Sequence, residues 1–575
     1  MSRSLFIALC TIVSLSCPVY AADADLILHN GKIVTVDKKF SLHQALAIRG
    51  EKILRVGSNE EVLKTKGPHT QLLDLGGKTV LPGLIDSHVH PTDACMVEFD
   101  HPIPVMETIA DVLAYIKGRA KALAKGEWIE VRQVFITRLR EQRYPTRQEL
   151  DDAAPDNPVV FSTGPDASLN TLALKLSGID KDFQVADGGP GYAEKDAKSG
   201  EPTGILRSCT RYVKSQPSGR RPTELDRTER LLRLFKDYNA VGLTTIGDRD
   251  ASRSDIERYR KLREQDKLSV RIAASHHIDT IGAIEKIQEN IRRVAEDPLV
   301  KGDARLRIVG IKTYLDGGML TGSAYMRQPW GVSKIYSIKD PKYRGVLFIS
   351  KERLLPIVQT TIESGLQFTA HSVGDGAVHT LLDVYEDLSH RLAIRKTRPC
   401  ITHCNFMSAE AVRKMAELGV VADIQPAWLY LDTRTLTAQF GYDRLRYFQP
   451  LKSLFEAGAL AGGGSDHMQK IGSLRSVNPY NPFLGMWTTI TRRAKGYDGQ
   501  LHPEESLSRE QAIRFYTSNN AHILFLEDRV GSLEQGKLAD LVILDHDLLT
   551  CPVDDIKNTQ VVRTYVNGRQ VYAGK

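Results

Sequence analysis

The chain has 575 residues, of which 42% are hydrophobic and 26% charged, and its formal net charge at pH 7 is +7. This composition is ordinary for a globular enzyme, and the length predicts two or more domains, or one barrel with additions. No block of about five or six like charges occurs, so the sequence predicts no nucleic-acid partner.

Residues 1–21 have the features of a secretory signal peptide. Arg3 supplies a positive start, residues 5–17 are mostly apolar, and the sequence VYA at 19–21 fits a cleavage site before Ala22. The apolar stretch is short for a membrane span, and no later run approaches about 20 apolar residues. We therefore expect export to the periplasm or the cell exterior without a stable membrane anchor. A lipid anchor on Cys17 is the alternative, although Ser14 stands where a lipobox usually has Leu.

The cysteine count argues against a disulfide scaffold. Seven cysteines are present, and Cys10 and Cys17 lie in the signal peptide, which leaves an odd number in the mature chain. Cys400 and Cys404 flank a histidine, but no second cysteine pair accompanies them, so the sequence gives little support to a cysteine-ligated zinc site.

Both ends of the mature chain are rich in predicted β-strands. Short alternating segments at 26–28, 32–36, 45–48 and 52–56 are separated by turns such as Asn30-Gly31. The same pattern of short predicted strands recurs at 540–544 and 561–566. The pattern predicts one small sheet domain built from residues 22–79 and 525–575.

The middle of the chain, residues 80–524, alternates apolar strands with helical stretches, which is typical of parallel βα units. Eight such units predict an α/β fold, a TIM-type (β/α)8 barrel. A long stretch at 100–230 is predicted to be an insertion after the first barrel strand, beside the mouth of the barrel. The predicted strands end near His90, Ile246, His276, Tyr314, His371, His403, Gln425 and Ser465.

Two histidines end the first of these strands, in the run LPGLIDSHVH at 81–90. Residues i and i+2 of a strand point to the same side, so His88 and His90 should face one point beyond the strand end. Neutral imidazole is a favoured ligand for zinc and similar ions. The pair therefore predicts a metal site at the mouth of the barrel.

Other polar residues stand at the ends of later strands. His371 and His403 end the fifth and sixth strands, and Asp466 follows the eighth. Lys312 lies inside the apolar fourth strand, where a bare ammonium group is costly to bury. Reaction of its amine with carbon dioxide would give a carbamate able to bridge two metals, and an ordinary ion pair is the alternative.

At this point the sequence resembles the amidohydrolase superfamily, and more narrowly the amidohydrolase 3 family, which includes N-substituted formamide deformylases. The resemblance covers nearly all of the mature chain. The Gly-Glu-Pro-Thr-Gly run is specific to this branch. The matching stretches are GKIVT at 31–35, LPGLIDSHVH at 81–90, GEPTGIL at 200–206, KTYLDGG at 312–318, HSVGD at 371–375, GSD at 464–466 and GSLEQGKLADL at 531–541.

The resemblance implies a metal-dependent hydrolase on a distorted TIM (β/α)8 barrel with a small β-sandwich domain formed from both chain ends, and with one or two divalent ions per chain. It implies that His88 and His90 bind the more buried metal. A carboxylated Lys312 (N6-carboxylysine) would bridge to a second metal held by His371 and His403. Asp466 would contact the metal site and take and return the proton of the attacking water. Zinc is the expected metal, because the set combines imidazole and carboxylate-type ligands.

The sequence therefore predicts an exported hydrolase of a small-molecule, non-peptide C–N bond in an amide, formamide, carbamate or cyclic amide. Two alternatives stay open. One is an esterase or lactonase using the same site, and the other is an inactive barrel with a binding or regulatory role. The sequence also leaves a homo-oligomer open.

Overall fold

A central barrel of eight parallel strands organises the molecule. A computed structural model describes residues 23–132 and 134–574, and in it each barrel strand pairs with the next in chain order. The first and last strands approach through a bridge between Val89 and His467, so the barrel is nearly closed. The predicted distorted TIM barrel is confirmed. Its strands are Leu84–Val89, Leu243–Ala251, Arg271–His277, Leu306–Tyr314, Gln367–Ser372, Cys400–His403, Val421–Ile424 and Ala461–Gly463.

Amphipathic helices cover the barrel from outside. In the helix Ile284–Ala295, Ile287, Ile291 and Val294 recur at helical spacing and are buried. Many helices start at a capping side chain, as in Arg253–Glu264, where Ser252 and Asp255 form a capping box. The other main helices of this layer are Glu224–Ala240, Lys351–Glu363, Asp375–Ser389, Ala409–Leu418, Pro426–Phe440, Leu451–Ala457, Pro482–Thr491, Arg509–Phe515 and Ser518–Ile523.

Two smaller sheets are built from the chain ends, as the sequence predicts. One has the strand order Lys52–Gly57, Ala45–Arg49, Ala24–His29 and Lys66–Asp74. The other joins the two ends, because Leu541–Leu544 pairs with Thr79–Pro82. Its order is Arg569–Ala573, Val561–Val566, Leu541–Leu544, Thr79–Pro82, Lys32–Val34 and Leu42–His43.

The insertion after the first barrel strand is an α/β unit of its own. Its hydrophobic core is continuous with residues of the barrel-mouth loops, among them Met319, Val373 and Trp428. The insertion is therefore a packed wall of the mouth. Its sheet has the order Tyr192–Lys195, Pro202–Arg207, Ala167–Leu169, Val159–Ser162 and Ile129–Arg132, and its helices are Ile109–Ala122, Arg147–Ala153 and Thr171–Ser177.

The structure leaves some of the sequence predictions untested. The signal peptide, its cleavage site before Ala22 and the alternative lipid site at Cys17 lie outside the described residues. The domain boundaries at 79, 524 and 100–230 stay predictions. Within the described ranges, every helix is too short or too polar to span a bilayer, and the cysteines at 95, 209, 400, 404 and 551 are free thiols.

Candidate metal centre at the barrel mouth

Three donor atoms converge at the carboxyl end of the first and eighth strands. His88 Nε2 lies 3.2 Å from His90 Nε2. The Oδ1 atom of Asp466 lies 3.3 Å from the first nitrogen and 3.1 Å from the second. These are three His and carboxylate groups whose ligand atoms lie within 4.8 Å of one another.

This triangle fits a bound cation. Zinc bonds of about 2.0–2.1 Å in a tetrahedron place neighbouring ligand atoms about 3.3–3.4 Å apart. The observed edges of 3.1–3.3 Å are close to that spacing. Two imidazole nitrogens directed at each other beside a carboxylate are therefore arranged as a tetrahedral metal face requires.

Two more histidines extend the cluster along the fifth and sixth strands. The ring centroids of His371 and His403 are 4.4 Å apart, and His403 is 5.1 Å from His88. Burial lowers the pKa of His371 to about 3, and burial together with His371 lowers that of His403 well below its ordinary value. Both imidazoles are therefore neutral, the state in which they bind metals.

The pKa values of the first-strand histidines move in opposite directions. Burial, with the nearby Lys312 charge, lowers the pKa of His88 well below its ordinary value. Burial also opposes the charged form of His90, but its hydrogen bond to Asp466 outweighs this and raises the pKa. Burial raises the pKa of Asp466, with the His90 contact acting against it. The contact between His90 and Asp466 therefore favours the charged form of both groups, whereas burial opposes it.

Lys312 is fully buried beside this cluster. Among the described residues its Nζ has no hydrogen-bond partner, and it lies 4.8 Å from the ring centroid of Tyr314. Burial lowers the pKa of Lys312, although Asp250 and Asp466 act in the opposite direction. Within the described part of the chain Lys312 therefore has no direct ion-pair partner, and its lowered pKa makes the unprotonated, nucleophilic amine more accessible.

The backbone is strained at the site. His403, Cys404 and Asp466 have φ values of +80°, +46° and +55°, which non-glycine residues rarely adopt. Glycines let the eighth strand approach its neighbours, since a Cβ on Gly463 or Gly464 would collide with Ile424 or Asp86. Such strain persists only where surrounding contacts impose it, and it is commonly found at functional sites.

A second layer of side chains holds the histidines. Gln425 Oε1 lies 2.7 Å from His403 Nδ1. Asp423 Oδ2 lies 3.7 Å from His88 Nδ1 and 3.1 Å from Arg249 Nε, and its Oδ1 accepts from Ser87 Oγ at 2.7 Å. Each of these groups is buried. The layer fixes the ring orientations and closes the bottom of the site.

Three polar side chains form the rim at the ends of strands two to four. Asp250 accepts from Tyr314 Oη at 2.8 Å and lies 2.8 Å from His277 Nδ1. Burial resists its charge, but the hydrogen bond to His277 and the Lys312 charge hold the pKa of Asp250 well below its usual range. The Asp250 carboxylate is therefore favoured in its ionised form, and the same contact raises the pKa of His277.

The structure brings all the sequence-predicted site residues to one end of the barrel. His88, His90 and Asp466 form the compact donor set, His371 and His403 adjoin it, and Lys312 is buried beside them. Their roles as ligands remain predictions. Sequence reasoning assigned no role to the supporting residues. Asp423 and Gln425 could have been found, because they repeat on strand seven the i, i+2 spacing of the first-strand histidines.

Comparison with known proteins identifies the protein family of the chain. A family model described as "Amidohydrolase family" matches residues 71–572. The match covers most of the chain, including every strand of the barrel and all the site residues. The chain therefore belongs to the amidohydrolase family.

Three individual proteins similar to this chain share 30% or less of its aligned residues. The chain is 30% identical over 559 residues to an N-substituted formamide deformylase from Arthrobacter pascens, covering 95% of this chain and 97% of that protein. It is 27% identical to Protein LONG AFTER FAR-RED 3 from Arabidopsis thaliana, over 96% of this chain and 92% of that protein. A metal-dependent hydrolase structure from Pyrococcus horikoshii OT3 superposes with a TM-score of 0.66 at 21% identity, covering 92% and 99% of the two chains. This last likeness concerns the fold alone.

Proposed function

We propose that this protein is an exported, metal-dependent hydrolase that cleaves the C–N bond of a small-molecule amide, formamide, carbamate or cyclic amide. The observation that carries the proposal is the donor triangle of His88, His90 and Asp466, with edges of 3.1–3.3 Å, at the mouth of a TIM barrel. Active sites of TIM barrels lie at this end of the strands. Membership of the amidohydrolase family and the 30% identity to a formamide deformylase support the bond class.

The residues present suit one or two divalent ions, with zinc the expected metal. His88, His90 and Asp466 would hold the first ion, and His371 and His403 the second. When bound, such ions lower the pKa of water and polarise the substrate carbonyl. Burial lowers the pKa of Lys312 and so makes its unprotonated amine more accessible. That amine would add to carbon dioxide with loss of one proton, giving a carbamate that carries the negative charge a bridging ligand needs.

Asp466 is the proposed proton carrier. Its carboxylate lies against His90 and His88 at the mouth, where an attacking water and a leaving nitrogen would both be within reach. It would accept a proton from the water as the new C–O bond forms. It would return that proton to the nitrogen as the C–N bond breaks. An amide or formamide would give a carboxylic acid and an amine, a carbamate a carbonic acid monoester and an amine, and a cyclic amide one product that carries both groups. The buried histidines and Gln425 keep the site fixed during both steps.

A substrate panel on the purified mature protein tests this proposal. The panel pairs N-substituted formamides, secondary amides, carbamates and cyclic amides with esters and lactones of matched size, and metal content is measured in parallel. We expect turnover of at least one C–N substrate class, one or two divalent ions per chain and loss of turnover on chelation. Full activity in metal-free protein, or turnover of the oxygen esters alone, would contradict it.

Export has a separate test. The proposal predicts that the mature chain begins near Ala22 and accumulates outside the cytoplasm. Fractionation with mass spectrometry of the N-terminus measures this directly. Active, full-length protein confined to the cytoplasm would refute export, and a diacylglyceryl group on Cys17 would favour the lipid-anchored alternative.

A further inference from the structure

One arginine of the insertion contacts two other segments at the barrel mouth, a helix and a loop. Arg138 ends the short 3-10 turn Ile136–Arg138. Its Nη2 donates to Asp432 Oδ2 at 3.0 Å and its Nε to Oδ1 at 3.3 Å, on the helix that follows strand seven. Its Nη1 donates to Val477 O at 3.1 Å and lies 3.5 Å from Asn478 Oδ1, on the loop that follows strand eight. The guanidinium therefore joins this helix and this loop from a third segment, the insertion.

The arginine is held in this position by its surroundings. Its side chain is 16% exposed, and that of Asp432 is fully buried. The guanidinium carbon lies 4.9 Å from the ring centroid of Phe135 and 5.5 Å from that of Trp428. Trp428 in turn lies 6.5 Å from the ring of His403. A planar, fork-shaped cation is required here, because a lysine could not reach both acceptor sets at once.

Asn478 links Arg138 to Asp466, because it contacts both residues. It is fully buried, and its Nδ2 donates to the backbone oxygen of Asp466 at 2.9 Å. The backbone nitrogen of Asp466 donates to His88 O at 2.8 Å. Asp466 has a φ of +55°, so these two hydrogen bonds hold a backbone conformation that the residue would otherwise leave. With Arg138 next to Oδ1, the Asn478 amide presents its nitrogen to Asp466.

We propose that Arg138 is a positioning residue for Asp466, acting through Asn478, so that the insertion completes the reaction centre. This inference rests on the proposed role of Asp466 in proton transfer. Removing the guanidinium frees the loop after strand eight and lets the Asp466 backbone relax. The carboxylate then spends less time where water and leaving group can both reach it, and a displacement of about 1 Å can cost about 100-fold in rate.

The test uses two single variants and their combination in the full mature chain. Arg138→Lys keeps a positive charge opposite Asp432 but cannot bond the helix and the loop at once, and Asn478→Ala removes the side chain that links the loop to Asp466. On the best C–N substrate of the panel, each should lower kcat per metal-loaded chain by about 10- to 100-fold with KM changed by less than about threefold. The kcat of the double variant should be no lower than that of the less active single variant, because both substitutions interrupt the same connection.

Arg143→Lys is the matched control. Arg143 lies on the same insertion and binds Glu149 with two hydrogen bonds of 2.7 and 2.8 Å at the surface. It should leave kcat unchanged. Wild-type kcat in Arg138→Lys and Asn478→Ala would overturn the inference, as would losses that multiply in the double variant. If Asp466→Asn is inactive while Arg138→Lys is normal, only this inference fails. If Asp466→Asn is fully active, the proposed function fails.

Discussion

Gln425 Oε1 lies 2.7 Å from His403 Nδ1 and thereby determines which nitrogen of the imidazole is free. A carboxamide oxygen can only accept, so the proton of His403 must be on Nδ1. The Gln425 amide is itself oriented, because its Nε2 donates to Asp423 O at 3.0 Å. The free Nε2 of His403 is therefore available as a ligand before any metal arrives.

This relationship predicts that Gln425→Leu weakens metal binding while the protein still folds. Loss of such an outer partner typically costs about 10- to 100-fold in metal affinity or activity. Competition with a graded series of chelators measures the change. Gln288→Leu is the control, since Gln288 bonds Thr360 on an outer helix. Equal metal affinity in Gln425→Leu and wild type would show that the contact does not prepare His403.

His90→Ala should lose metal and activity together. The variant removes one of the three donors. Only His88 Nε2 and Asp466 Oδ1, which lie 3.3 Å apart, would then be left to hold the ion. Metal content by elemental analysis and turnover should fall in proportion. His101→Ala serves as the control, because His101 contacts Asp100 and Tyr115 in the insertion. Full activity in a metal-free His90→Ala protein would contradict the assignment.

The sequence predicted the barrel because its signals are local and repeated. Each strand is a short apolar run, and each chemical group stands at a strand end, so chain order alone predicted that His88, His371 and Asp466 would meet. The contacts of Arg138 and Asn478 could not be predicted in this way. They join the insertion to a loop more than 300 residues later, through polar groups in segments without periodicity.

The buried second layer shows the same limit. Arg249 lies within the second strand, and only the folded barrel reveals that its partner is Asp423 on the seventh. The apolar pattern of a strand predicts which of its residues are buried. It does not report which of the other strands an inward charge will face, because that depends on the closure of the barrel.

Arg249→Met should destabilise the fold. Both partners of the Arg249–Asp423 pair have fully buried side chains 3.1 Å apart, so the variant leaves an uncompensated carboxylate in the barrel interior. Breaking a buried pair in this way costs about 3–5 kcal/mol. Thermal and denaturant unfolding measure the loss in the free energy of unfolding. Arg293→Met, which breaks the exposed pair with Glu289, should change stability by less than about 1 kcal/mol. Equal losses in the two variants would refute the argument.

Lys312→Ala should lose one metal per chain and most turnover while the barrel remains folded. The fold should survive, because Nζ has no hydrogen-bond partner among the described residues and its removal leaves no acceptor unpaired. Short carboxylic acids added with bicarbonate should restore part of the activity by supplying the missing carboxylate. An intact mass without the added carbon dioxide, together with a density map of an unmodified amine away from metal, would refute the carbamate.

Asp466→Asn separates metal binding from proton transfer. Asparagine keeps the size of the side chain and an oxygen that can face His90, so the fold and most of the bound metal should remain. It cannot accept and return a proton, so turnover should fall about 100-fold or more, the scale of general acid–base catalysis. Asp498→Asn, at an exposed position, is the control.

The pH dependence of that variant makes the test specific. Hydroxide becomes abundant at high pH and needs no base to form, so part of the lost rate should return as pH rises. Leaving-group protonation should not recover, so substrates with poor leaving groups should regain less than those with good ones. A pH–rate profile on one substrate of each kind measures both effects. Near wild-type turnover of Asp466→Asn at neutral pH would mean that the left-handed backbone and buried contacts of Asp466 serve the structure alone, and that another group carries the proton.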